Sequence, residues 1–298
     1  VHSQGVPDEQ IATLLAYPFP VDGDTAWAQM YDVTMPSERI DLYSDDATIQ
    51  WNTDLRFWDG EEYDYIDHFY QDYQAGQRYE KHWNAAPIGP VARPVFAFGY
   101  LFATVSPFSS SSLRHFTYPS WDGVEATTTL TKNGEVVGTS DDPSGGLYEL
   151  PAESATYELT TTATRDVEWS TLATEVEATW KVTAGPGENG RLPFLALRTS
   201  GEVDELNRAP ANRPFRLKLD VERADGVEAD VRAVDLEVSF DNGESWKRVR
   251  TRPSNSGFTA LVPRPPKGSE FVSLRASIDD ADGSELEQTV IRAYKLAR

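Results

Sequence analysis

Along most of the chain, apolar side chains fall at every second position and are interrupted by short polar turns. That is the pattern of strands that bury one face. The clearest stretch is VDLEVSFDNGESWKRVR at 234–250, where two alternating runs flank Asp241-Asn242-Gly243. Asn and Gly accept the positive φ of a tight turn, so this stretch predicts a β-hairpin. The same grammar recurs at 127–137 (TTTLTKNGEVV), around Asn133-Gly134.

Three regions follow from this reading, with boundaries near 90 and 190. Residues 1–90 are irregular, acidic and aromatic. VPDEQIATLLAY at 6–17 predicts one short helix with Asp8 as its N-cap, and 41–51 predicts two short strands around Ser44-Asp45-Asp46. This region either stands alone or completes the next one. Residues 91–190 predict a middle β-sandwich. Within it 94–105 is a nearly continuous apolar run, which predicts one buried strand, and AGPGENG at 184–190 reads as a linker. Residues 191–298 predict seven strands with turns at Asp225-Gly226, Asn242-Gly243 and Asp282-Gly283, the spacing of an immunoglobulin-like or fibronectin-type sandwich. The expected fold class is all-β, a tandem of sandwich modules.

Charge sharpens these boundaries. Residues 1–110 carry 17 acidic and 5 basic side chains, residues 111–190 carry 13 and 4, and residues 191–298 carry 18 and 18. The acidic part of a chain with net charge −21 repels nucleic acid and anionic membranes. No run of 18 apolar residues occurs, so no membrane span is expected. The chain has no cysteine, which excludes disulfides and thiol chemistry. It opens at Val1-His2-Ser3-Gln4 without a charged and apolar leader, and reads either as cytoplasmic or, in preference, as a processed or excised piece of a longer chain.

Several phrases resemble, in order, the C-terminal region of large secreted subtilisin-like serine peptidases of actinobacteria. They are GQRYEKHWNAAPIGP at 76–90, TLTKNGEVVG at 129–138, LPAESATYELTTTATR at 150–165 and WSTLATEVEATW at 169–180. VDLEVSFDNGESW at 234–246 and FVSLRASIDDADGSELEQTVIRAYKL at 271–296 complete the set. The resemblance covers roughly residues 70–298. It implies an extracellular protein whose catalytic domain lies in the same parent chain, N-terminal to non-catalytic modules that stabilise or position it or hold protein substrate. Nothing here resembles the Asp, His and Ser motifs of a subtilase, so the resemblance implies no peptidase chemistry in these residues.

Candidate chemistry concentrates in 51–83, where ten aromatic rings are interleaved with carboxylates. Flat rings with polar handles suit sugars and exposed chains. The ligand-binding candidates are Trp58, Tyr63, Tyr65, Tyr70 and Tyr73, and the alternative function is a carbohydrate-binding or adhesion module. Glu61, Glu62, Asp64 and Asp67 are the one carboxylate group there that could serve a glycosidase, although acidic pairs are frequent in so acidic a chain. The four histidines, His2, His68, His82 and His115, show no HExxH spacing or nucleophile motif, and His68 and His82 read as packing residues. Asp279, Asp280 and Asp282 beside Gly283 are the calcium candidates, although the spacing of an EF-hand loop is missing; Asp45-Asp46 and Asp141-Asp142 are similar turn pairs. SFDNGESW at 239–246 also resembles a single Asp-box hairpin.

Overall fold

Alternation along the sequence becomes pairing across it. The computed structural model describes residues 2–3, 10–21, 27–59, 62–112, 114–187 and 190–297, and among them every regular element is a strand. The first region supplies β1 (His2–Ser3), β2 (Gln10–Pro20), β3 (Gln29–Met35), β4 (Ile49–Asp59), β5 (Glu62–Gln71) and β6 (His82–Trp83). The middle supplies β7 (Gly89–Ala92), β8 (Val95–Ala97), β9 (Tyr100–Ser109), β10 (His115–Tyr118) and β11 (Val124–Lys132). It continues with β12 (Glu135–Ser140), β13 (Gly145–Glu149), β14 (Ala155–Arg165) and β15 (Glu175–Ala184). The last region adds β16 (Leu195–Gly201), β17 (Arg208–Pro210), β18 (Phe215–Arg223), β19 (Val231–Ser239) and β20 (Lys247–Val249). It closes with β21 (Thr251–Ser254), β22 (Gly257–Val262), β23 (Phe271–Asp280) and β24 (Glu285–Ala297).

The largest sheet runs in the order β12-β11-β14-β15-β24-β23-β19-β20, with β17 added parallel to β24. Its middle joint is β15 against β24, paired from Glu175↔Ile291 to Lys181↔Glu285. One ladder therefore runs through both the middle and the last region. Two smaller sheets cover it, β13-β9-β7 with β8 and β16-β18-β22-β21. A single apolar cluster extends from Ala86 to Leu296. At its heart, the fully buried indole of Trp180 on β15 donates to the carbonyl of Leu195 on β16 at 2.8 Å, tying two sheets together. Truncating such a side chain to alanine costs about 3–5 kcal/mol.

The first region forms a further antiparallel sheet, β10-β5-β4-β2-β3, whose edge strand β10 comes from the middle region. Its apolar side packs Ala12, Leu14, Leu55, Phe57 and Ile66 against Val167 and Trp169, which belong to the β14–β15 connection. Phe57 stacks on Trp169 at 4.4 Å.

Both predicted hairpins are present. Asn133 and Gly134 take φ of 54° and 84°, and Asn242 and Gly243 take 56° and 91°. In the second turn Asp241 accepts bonds from Ser239 Oγ (2.6 Å) and Ser245 N (3.0 Å), which closes the loop by side-chain bonding.

Three expectations are corrected. Residues 10–17 form β2 instead of a helix, because each backbone group finds a partner in β3 or β4 and Ala12 and Leu14 face the core. Asp8 lies outside the described residues. Residues 41–46 carry no strand; Asp46 caps a turn by accepting from Thr48 N at 2.9 Å, and the strand starts at Ile49. The apolar run at 94–105 is two strands, β8 and β9, folded back at Phe98-Gly99. Phe98 takes φ of 54° and is 94% exposed.

Candidate functional site

The aromatic segment packs mostly against rings from outside it, Tyr43, His115, Tyr118 and Trp169. Trp51, Phe57 and Trp83 are buried. Tyr65 on β5 stacks on its cross-strand partner Tyr118 at 4.6 Å and 14°. Trp58 on β4 is 47% exposed, and its indole N–H donates to Thr13 Oγ1 at 3.1 Å. Tyr73 lies beyond the end of β5, in the loop leading to Lys81. Tyr63 and Tyr70 fall within β5, but their side chains lie outside the described residues. Trp58 and Tyr65 lie on the same face of the sheet, two positions apart in the β4–β5 ladder, one bonded to Thr13 and the other stacked on Tyr118, whereas Tyr73 sits off the sheet in a loop cleft.

The suspected carboxylates separate too. Asp64 is buried and accepts from Ser120 N at 2.5 Å. Asp67 is buried directly across from Asp54, which pairs with Arg56 at 2.9 Å. Burial, reinforced by the charge of Asp54, pushes the Asp67 carboxyl up to about 6 even though Asn52 donates to it. Glu61 lies outside the described residues, and the side chain of Glu62 does as well.

His68 and His115 belong to a packed trio with Trp83: the ring of His115 lies on Trp83 at 4.6 Å and meets His68 at 5.1 Å. His68 Nε2 bonds Gln71 Oε1 at 2.8 Å, and His115 Nδ1 bonds Ser110 Oγ at 3.1 Å. Burial holds His68 down at about 4 and holds His115 well below the usual histidine value, with Lys81 adding to both. These rings are neutral packing groups at neutral pH.

The calcium candidates enclose a cation that the chain itself supplies. The Arg223 guanidinium lies 2.7 Å from Asp282, 3.4 Å from Asp280 and 2.8 Å from Asp225. Asp279 instead sits opposite Glu285 in the β23–β24 ladder. No group of three acidic or histidine side chains suited to a metal occurs among the described residues.

The segments 38–45 and 73–81 bound a cavity of about 600 Å³. Tyr43 and Tyr73 stack at 4.4 Å and 12°, and Tyr79 meets Tyr73 edge-on at 5.1 Å. Beside the stack lies Lys81, only 7% exposed, with Nζ 5.6 Å and 5.3 Å from the Tyr43 and Tyr73 ring centres. Nζ donates to Thr53 Oγ1 at 3.1 Å. Burial brings the Lys81 ammonium down to about 7, against the pull of Asp41. Asp41 spends Oδ1 on Arg39, at 2.6 Å, while its buried Oδ2 and the buried Tyr73 hydroxyl find no partner among the described residues. Sequence reasoning reached Tyr73 but missed Lys81, Asp41 and Tyr43. One signal was present: Lys81 is the only lysine before Lys132.

No family profile matches the chain, and no curated protein matches it. Among solved structures, Escherichia coli alpha-2-macroglobulin activated by porcine elastase matches 99% of the chain at 12% identity, with a TM-score of 0.20. The chain spans 28% of that protein. A superposition that poor carries no argument about fold or function. What the geometry itself defines is an all-β protein of several antiparallel sheets.

Proposed function

We propose that this chain is a non-catalytic accessory region of a secreted subtilisin-like serine peptidase, which stabilises or positions the catalytic domain or holds protein substrate. One observation carries the reading: the scattered phrases of the resemblance converge in a single ladder. The phrase at 129–138 spans parts of β11 and β12, 150–165 contains β14, and 169–180 runs into β15. The phrase at 271–296 spans β23 and most of β24, and 234–246 begins within β19. These strands are consecutive neighbours in the large sheet. The earliest phrase, 76–90, is fastened to the last strand, because Ile88 N donates to Ala293 O at 3.0 Å. Phrases that are distant in sequence but adjacent in one sheet support a module inherited as a unit.

The test is the coding sequence upstream of Val1. An open frame carrying the Asp, His and Ser motifs of a subtilase is the expected result; a frame with no such domain would overturn the proposal. Deleting residues 1–298 from the parent enzyme should then shorten its half-life at elevated temperature or raise KM for protein substrates, with the hydrolysis of a small chromogenic peptide retained.

A second reading, a carbohydrate-binding or adhesion module, draws on the half-exposed Trp58. Retention of the chain on an insoluble polysaccharide, lost on Trp58→Ala, supports that reading; passage of the unaltered chain with the void volume removes it.

A further inference from the structure

We propose that Lys81 is a carbonyl-capturing amine, and that the cavity between 38–45 and 73–81 admits a small aromatic aldehyde or ketone that condenses with Nζ as an imine. This goes beyond the accessory-region reading and does not depend on it.

The amine is unusually free for so buried a group. An ammonium has three donors, and Lys81 uses one, on Thr53 Oγ1. No carboxylate among the described residues lies within ion-pair distance of it. Its other neighbours are the faces of Tyr43 and Tyr73. The charged and titratable groups around it and on the cavity wall are Asp41, Arg39, Arg114, His68, Tyr43 and Tyr73, together with Glu38, Asp45, Arg78, Tyr79 and Glu80. Asp41 is held by Arg39, so the balance of the site does not keep Nζ fully charged. A desolvated lysine in an apolar pocket is the usual form of an amine nucleophile. Lys81 meets that description by position, and its lowered proton affinity follows from the same burial.

The rest of the cavity fits the partner. About 600 Å³ accommodates a single-ring molecule, and three tyrosines offer it ring surfaces. The condensation needs no oxidant or reductant. The neutral Nζ lone pair adds to the carbonyl carbon, the nitrogen loses a proton and the oxygen gains one, which gives a carbinolamine. The hydroxyl then leaves as water with one further proton, and a C=N bond remains. Two residues that line the cavity carry unpartnered groups suited to those proton movements once a bound ring uncovers them: the Tyr73 hydroxyl, kept protonated by burial, as donor to the departing oxygen, and Asp41 Oδ2 as acceptor of the nitrogen's proton, both atoms being covered in this structure.

The test is reductive trapping on the intact chain with benzaldehyde and sodium cyanoborohydride, followed by peptide mapping of all seven lysines. A lysine titrating near 7 has about 10³ times the neutral fraction at pH 7 of one near 10.4. Allowing for restricted access, labelling of Lys81 is expected to exceed that of each other lysine at least tenfold. Its rate should level off above pH 7 while the others keep rising toward pH 10. Tyr73→Phe should slow labelling of Lys81 several-fold, and Lys81→Arg should remove the selective label with the thermal midpoint as a folding control. Labelling of Lys81 no faster than the other lysines, or a Lys81 rate that climbs in parallel with theirs, overturns the proposal. The pH profile of the unaltered chain decides this even if the variants fail to fold.

Discussion

Asn207 Oδ1 accepts a hydrogen bond from the backbone N–H of Ala86 at 2.9 Å, across 121 positions of sequence. Its Nδ2 donates to the carbonyl of Asn84 at 2.8 Å, and the side chain is fully buried. One amide thus satisfies two backbone groups of a loop that reaches the core from the first region. Asn207 itself sits at φ 57°, which asparagine tolerates better than most residues.

Asn207→Ala should therefore do more than delete two bonds. It leaves a buried N–H and a buried C=O unpaired in a strained backbone, for an expected loss of about 2–4 kcal/mol. Urea unfolding measures this, with a lowered midpoint at unchanged slope as the expected result.

The buried pair Asp54 and Asp67 predicts a gain instead. Asp67 titrates near 6 in the folded chain, above its ordinary value of 3.8, so folding takes up a proton between those pH values. Stability from this group is present below 3.8 and lost as pH rises through about 6. Asp67→Asn should remove that loss and stabilise the protein by about 1–2 kcal/mol at pH 7, with little gain at pH 4. Equal effects at both pH values would show that the carboxylate charge is not the cause.

His68 and His115 set the opposite slope. Their folded proton affinities are depressed, His68 to about 4 from 6.5, so the unfolded chain binds protons that the folded chain does not. Stability is full above pH 6.5 and falls as pH drops below it, by up to about 1.4 kcal/mol per pH unit for each histidine. Measured in the Asp67→Asn background, where the counter-trend is absent, the slope between pH 6.5 and 5 should be shallower in His68→Gln than in its parent. An unchanged slope would mean that His68 charges freely in the folded state.

A fragment of residues 91–190 should not fold as the intact chain does. Without β24, β15 becomes an open edge, and the two-sheet packing around Val176, Trp180 and Val182 is broken. Unpaired apolar edges associate. Size-exclusion chromatography and near-ultraviolet circular dichroism should show oligomers without fixed aromatic packing, whereas a monomer with a native-like spectrum would indicate an autonomous middle sandwich.

How much of this was legible in advance depended on how local the cause was. Asn133-Gly134 and Asn242-Gly243 announce their turns because few other residues suit those dihedral angles. The run at 6–17 misled because Ile11, Leu14 and Leu15 fit helical spacing as well as strand spacing. The choice was made by backbone partners such as Phe57, which lies opposite Ala12. Phe98 concealed a turn inside an apolar run, since nothing local says that a phenylalanine will point at solvent. The Lys81 cavity was the least visible of all. Tyr43 and Tyr73 stack from two irregular segments thirty positions apart, and no periodicity encodes such a meeting. Trp58 and Tyr65 could be named as rings but not assigned their partners, Thr13 and Tyr118, because the strand register decides what each one faces.

The central joint of β15 and β24 also orders events in time. During synthesis, residues 175–184 leave the ribosome about a hundred residues ahead of the strand that will cover them. Until Glu285–Ala297 emerges, the half-sheet of β12, β11, β14 and β15 waits with one side unzipped, a long-range closure of the kind that folds slowly and invites misassembly. The excess of acidic side chains in the first 190 residues opposes association between such half-made copies by mutual repulsion.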